Sequence, residues 1–143
     1  MNILLLNGPN LNLLGEREPE IYGHTTLKQL EQLVAVHATE RGASLRVFQS
    51  NHEGALLDKL HEVRNWAQGC VFNPGAYTHY AWSLRDAVVS IPKVKVVEVH
   101  ISEPKSREAF RHVSVLDGVA AHRIAGKGIA GYLEAIEWLV QHK

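Results

Sequence analysis

Short apolar runs alternate with segments of helical period along the whole 143-residue chain, and few folds accept that order. Residues 2–6, 44–48, 70–73 and 94–99 read as strands, with 119–124 as a weaker fifth. The 94–99 run is β-branched and continuous, as strands inside parallel sheets are. Residues 26–41 read as a helix: Thr26 and Gln29 fit a capping box, Leu27, Leu30, Val34 and Ala38 share a face, and Gly42 ends it. Residues 55–68 form a second helix with Leu56, Leu60, Val63 and Ala67 inward. A third covers 78–90, stopped before Pro92, and a last amphipathic one covers 129–141. Between 102 and 117 the chain reads as irregular or partly helical. Strand–helix alternation with short connections implies a parallel sheet with helices on both faces. The expected fold is α/β: one domain over residues 1–143, a flavodoxin-like, doubly wound, five-stranded parallel sheet of order 2-1-3-4-5.

In such sheets ligands bind beyond the carboxyl ends of the strands. Here every such end is polar. The first leads to Asn12, Arg17 and Tyr22, and the second ends in Gln49-Ser50-Asn51-His52-Glu53. The third runs into Asn73-Pro74-Gly75-Ala76-Tyr77-Thr78-His79, and the fourth into His100-Ile101-Ser102, with Arg107 and Arg111 soon after. The fifth closes at Gly126-Lys127-Gly128, which lacks the rest of a phosphate loop and reads as a turn. Glu98 and His100 lie two apart on one strand, so their side chains share a face, where a carboxylate can fix the imidazole's tautomer. Arg111 follows Glu108 at helical spacing, which also suits a plain surface ion pair.

The segment from Gly8 to Gly23 holds two glycines at its ends, a third inside and two prolines, and is expected to stay out of regular structure. It carries Tyr22 five residues after Arg17. A loop that closes can bring the phenol beside the cation, and a nearby positive charge favours a phenolate, which can act as a base.

Fifteen basic residues balance fifteen acidic ones, so no general attraction to nucleic acid or an anionic membrane is expected. No apolar run is long enough for a spanning helix, and the first residues lack the basic flank and hydrophobic stretch of a signal peptide. Cys70 is the one cysteine and reads as core filler, so the expected location is cytoplasmic. Nine histidines are present, but no two lie within four residues, which removes the helical ligand pair; no metal is expected. A flavin mononucleotide site would want hydroxyl residues after the first strand, and a phosphoacceptor would want acids there; asparagines stand instead.

These motifs resemble the type II 3-dehydroquinate dehydratases. The similarity starts with Asn7-Gly8-Pro9-Asn10-Leu11-Asn12-Leu13-Leu14-Gly15, Arg17 and Ile21-Tyr22-Gly23. It continues through Gln49-Ser50-Asn51-His52-Glu53-Gly54, Asn73-Pro74-Gly75-Ala76-Tyr77-Thr78-His79, Leu84-Arg85-Asp86-Ala87 and Val97-Glu98-Val99-His100-Ile101-Ser102. Arg107-Glu108, Phe110-Arg111-His112, Ser114 and the pair Gly131-Tyr132 complete it, nearly end to end. The resemblance implies a hydro-lyase that converts 3-dehydroquinate to 3-dehydroshikimate through an enolate, without cofactor or metal, in the shikimate pathway or in quinate breakdown. By position it implies Tyr22 as base, Arg17 as the cation beside it, Asn12 holding water at the ketone, and His100 as acid oriented by Glu98. The Ile101 and Ser102 amides would take the substrate carboxylate, and Asn73, His79 and Arg111 the ring hydroxyls. Asp86 would come from a neighbouring subunit, since the family forms dodecamers of trimers. Glu103 and Tyr80-Ala81-Trp82 depart from the family pattern without touching these groups. A rival mechanism, a Schiff base on Lys127 or Lys95, and a non-catalytic polyhydroxy-acid binder remain as alternatives.

Overall fold

Which strands sit at the centre follows from how apolar they are. β1 (Asn2–Asn7), β3 (Gly69–Asn73) and β4 (Lys95–His100) are buried over nearly their whole length, as strands covered on both faces must be. β2 (Ser44–Gln49) has no buried residue and exposes Ser44, Arg46 and Val47, and β5 (His122–Ala125) buries one residue; these form the edges. The computed structural model, which describes residues 1–143, has the parallel order β2-β1-β3-β4-β5. This is the expected doubly wound arrangement.

Odd-numbered residues of β1, Ile3 and Leu5, join Val71, Val97 and Val99 on one face, against α2 (Leu27–Glu40) and α5 (Ala130–Gln141). Leu4, Leu6, Cys70, Phe72 and Val96 face the other way, against α3 (Glu53–Val63) and α4 (Trp82–Val89). Alternation along each strand thus builds two separate cores. The capping box forms: Gln29 N donates to Thr26 Oγ1 at 3.2 Å and Thr26 N to Gln29 Oε1 at 3.0 Å.

Four segments differ from expectation, one being β5, which begins at His122 rather than 119 because Val119 and Ala120 both donate to Leu116 O in a turn. α3 stops at Val63 rather than 68, because Trp66 and Ala67 both donate to Val63 O in a turn that lets Gln68 N reach Asn2 O. α4 begins at Trp82 rather than 78: the preceding Gly75–His79 is a 3₁₀ turn, and Thr78 uses its hydroxyl on Glu98 and Ser114 rather than as a cap. Within residues 8–23, expected to be irregular, Leu11–Leu13 is a 3₁₀ turn and α1 (Pro19–Tyr22) a single helical turn. Pro19 presets the first helical φ, and Gly23 ends the turn at φ 79°.

The chain runs from β1 outward to β2, then back past β1 to β3, so the sheet's reversal lies between β1 and β3. Their following loops pack backbone on backbone there. A Cβ on Gly8 would stand 2.6 Å from the Pro74 carbonyl oxygen, and Gly75, at φ +58°, abuts Pro9. Only glycine permits this approach.

Candidate active site

At that reversal lies a cavity of about 220 Å³. It is lined by Pro9, Asn10, Leu11, Leu14, Arg17 and Tyr22 from the loop after β1, and by Asn73, Gly75, Ala76 and His79 after β3. His100, Ile101, Ser102, Arg107 and Arg111 come from the end of β4 and the arm beyond it. Three arginines and two histidines face a space that no carboxylate lines, which suits an anionic ligand.

His100 is held from behind. Its Nε2 meets Glu98 Oε2 at 2.8 Å, and no protein group bonds Nδ1, which leaves that atom for a ligand. Glu98 is fully buried and lies at the junction of four segments. Ser114 Oγ donates to its Oε1 at 2.6 Å, Thr78 Oγ1 to Oε2 at 3.2 Å, and Arg123 Nε approaches Oε2 at 3.4 Å from the neighbouring position on β5. Burial alone would push this carboxyl up, but the His100 and Ser114 hydrogen bonds and the charges of His100 and Arg123 outweigh it and hold Glu98 below its usual range. A buried carboxylate persists only where donors replace water in this way.

The phenol of Tyr22 is approached by two guanidiniums. Arg17 lies over its ring face, 4.8 Å from the centroid, while the hydroxyl itself accepts from Arg107 Nη1 at 2.7 Å. The cation on the oxygen is therefore Arg107, not the Arg17 that the loop spacing suggests. Arg107 also reaches Ser102 Oγ at 3.4 Å and Glu18 at 3.9 Å, joining the arm after β4 to the loop after β1.

Two adjacent amides, those of Ile101 and Ser102, donate to no protein acceptor although both residues line the cavity. Such paired N–H groups make an anion seat. His79 Nδ1 bonds the Val113 carbonyl at 2.6 Å, so this nitrogen carries the proton. Burial is the largest of the influences on His79, and its value is lowered; the neutral ring presents Nε2 as an acceptor. Asn73 is buried, with Oδ1 accepting from Gly75 N. Arg111 pairs with exposed Glu108, as its spacing suggests, and lines the cavity as well.

Two expected site residues lie elsewhere. Asn12 is exposed and outside the lining, with Oδ1 at 3.5 Å from Gln49 Nε2. Asp86 is exposed on α4 and does not line its own chain's cavity. Neither rival lysine lines it: Lys127 pairs with Glu134, and Lys95 donates to the His142 carbonyl. Of the departures, Glu103 accepts from Lys105 N at a turn, and Tyr80 and Trp82 are exposed beside α4.

Compared with known sequences, residues 1–140 match the family described as Dehydroquinase class II. The chain belongs to this family. It is 54% identical, over 95% of its length and 91% of the relative's, to a 3-dehydroquinate dehydratase of Anoxybacillus flavithermus. It is 48% identical to a catabolic 3-dehydroquinase of Emericella nidulans, over 95% of this chain and 88% of that one. The crystal structure of a type II dehydroquinase from Butyrivibrio crossotus superposes with a TM-score of 0.95 at 46% identity, covering 97% of each chain.

Within this dehydroquinase, several groups at or behind the cavity escaped the sequence reading. Arg107 stands in a matched motif, but nothing in its spacing pairs it with Tyr22. Thr78 and Ser114 are hydroxyls after β3 and β4 whose neighbours gave no hint of a buried carboxylate between them. Their advance signals were their places in the matched motifs and, for Thr78, a position soon after a strand end.

Proposed function

We propose that this dehydroquinase removes water from 3-dehydroquinate to give 3-dehydroshikimate, acting as a hydro-lyase over residues 1–143. Family membership supports the reaction. The observation that carries the mechanism is that a guanidinium-bound phenol and a carboxylate-backed imidazole line one cavity.

Tyr22, as phenolate, takes the C2 proton next to the C3 ketone. Arg107 on its oxygen and Arg17 on its ring face supply the positive charge such a base needs. The electron pair moves onto the ketone oxygen as an enolate, toward water that Asn12 holds from the mouth of the cavity. Donors placed where charge develops contribute most. The enolate then re-forms the ketone as the C1 hydroxyl leaves, taking a proton from His100 directly or through water. C2–H and C1–O break, a C1–C2 double bond forms, and one water departs. Glu98 keeps the imidazole oriented through the hydrogen bond at Nε2. The Ile101 and Ser102 amides seat the substrate carboxylate. Asn73, Arg111 and neutral His79, through Nε2, hold the ring hydroxyls.

Asp86, outside its own cavity, serves the site of a neighbouring copy in trimers that group into a dodecamer. The exposed Tyr80 and Trp82 beside α4 support a contact on that face. The cytoplasm is the proposed location of the reaction.

The decisive experiment follows absorbance of the conjugated enone with purified protein and 3-dehydroquinate, chelator present. Enone should form and vanish in Tyr22→Phe, with no mass adduct after borohydride reduction. Binding without enone would replace the enzyme with a simple binder, and a trapped adduct would replace the enolate route with a Schiff base.

A further inference from the structure

Tyr132 takes no part in the reaction above and does not line the cavity, yet its hydroxyl ends up directly behind a group that does. It is fully buried on α5, on the face shared with Asn7 and Asn73, which lie opposite each other in the β1–β3 register. α5 comes close because Gly131 carries no side chain; a Cβ there would meet Ile124 Cγ2 at 3.3 Å.

The hydrogen bonds form a chain with a direction. Its fixed reference is the backbone N–H of Gly75, which can only donate and does so to Asn73 Oδ1 at 3.0 Å. The other end of that amide, Nδ2, must then face Tyr132, and it donates to the hydroxyl at 2.8 Å. Its oxygen being occupied as an acceptor, the phenol sends its single proton to Asn7 Oδ1 at 2.7 Å. Burial pushes the Tyr132 hydroxyl well above its ordinary range, so that proton stays on. Turning the Asn73 amide over would set an N–H against the Gly75 N–H, and its oxygen could meet the phenol only if that hydroxyl gave up Asn7. One Nδ2 hydrogen and one Oδ1 lone pair remain open toward the cavity.

We propose that Tyr132 is a positioning residue, which works with the Gly75 N–H to hold Asn73 in the one orientation that presents its amide to the substrate hydroxyls. The proposal rests on the reading that Asn73 contacts substrate. Without the phenol, the Gly75 N–H alone holds the amide by its oxygen, Nδ2 loses its anchor, and in part of the molecules the amide leaves the pose that meets the ring hydroxyls. The loss therefore falls on substrate affinity, not on proton transfer.

Kinetics of Tyr132→Phe, Asn73→Ala and the double variant test it. Tyr132→Phe should raise KM about tenfold, the scale of one hydrogen bond, with kcat within about threefold of wild type. The double variant should be no worse than Asn73→Ala alone, since the phenol acts through that side chain. Asn7→Ala keeps the ring and frees the phenol's proton; it should raise KM similarly, and it stands in for Tyr132→Phe if that variant is too unstable to assay. In ¹⁵N-labelled protein without ligand, the Asn73 side-chain amide should exchange with solvent about tenfold faster in Tyr132→Phe. Losses that multiply in the double variant, or a KM unmoved by Tyr132→Phe while Asn73→Ala is impaired, would overturn the positioning role alone. An Asn73→Ala enzyme with unchanged kinetics would instead refute the substrate contact and the proposal together. Should the wild type form no enone, the amide exchange decides whether Tyr132 locks Asn73.

Discussion

His100 stands at the end of a central strand, on a carboxylate to which Thr78, Ser114 and Arg123 also turn their donors. Tyr22 ends a one-turn helix that buries no residue, and its hydroxyl is held by one side chain from a separate arm. The His100 half of the cavity is thus built into the sheet, where packing and hydrogen bonds define it before any ligand arrives. The Tyr22 half is a loop and an arm held together at Arg107. Regions with few buried contacts open at low free-energy cost. The comparison teaches a division of labour: the strand ends keep their geometry, and the loop is the part free to open and close.

Substitutions on the two sides should separate accordingly. Tyr22→Phe is expected to have the largest effect, a fall in kcat of about 10³-fold or more with the unfolding midpoint within about 0.5 kcal/mol of wild type. Steady-state enone formation and urea unfolding measure the pair, and a stability loss above that range would put Tyr22 in the same class as His100. Next come Arg107→Leu and Arg17→Leu, each with kcat lowered about 10²-fold. Because Arg107 touches the oxygen and Arg17 the ring face, the former should be the more damaging; the reverse order in the same assay would return the oxygen's cation to Arg17. On the rigid side, Glu98→Gln should lower kcat by about tenfold or more and also destabilise the fold by about 3 kcal/mol, since its donors lose a buried charge. If calorimetry finds it as stable as wild type, the built-in half is not rigid for the reason given.

The smallest expected effect is on stability in mild acid. His79 is lowered in the folded chain, so the unfolded chain protonates first as pH falls below about 6.5, and folding loses support from there downward. Glu98 is lowered too; its contribution is present above about 4.5 and is lost as pH falls through the folded value. Both trends have the same sign. Urea midpoints at pH 7, 5.5 and 4 should decline in order, and Glu98→Gln should flatten the last step. A midpoint that rises toward pH 5.5 would contradict the burial of His79.

Much of this architecture could be read from residues alone, for a clear reason. The apolar period of a strand or helix repeats within a few residues, so 2–6 and 26–41 announce themselves, and Gly42 marks its own stop. Ends were read less well where a side chain had a distant use. Thr78 would cap a helix in isolation, but Glu98 and Ser114 take its hydroxyl, and α4 starts four residues later at Trp82. Of the site residues, those at strand ends, Asn73, His79 and His100, line the cavity as their positions suggest. Arg107 could not be found this way, because it meets Tyr22 across 85 positions of sequence.

Local pattern therefore determined the order of strands and helices, the two apolar faces and the polar rim where the strands finish. These follow from side-chain size and period, properties each segment carries by itself. The folded chain decided which cation touches the phenol, which hydroxyls hold the buried carboxylate, and that Tyr132 stands behind Asn73. Such contacts join segments far apart in sequence, and they exist only once burial removes water and leaves the donors protein acceptors in its place.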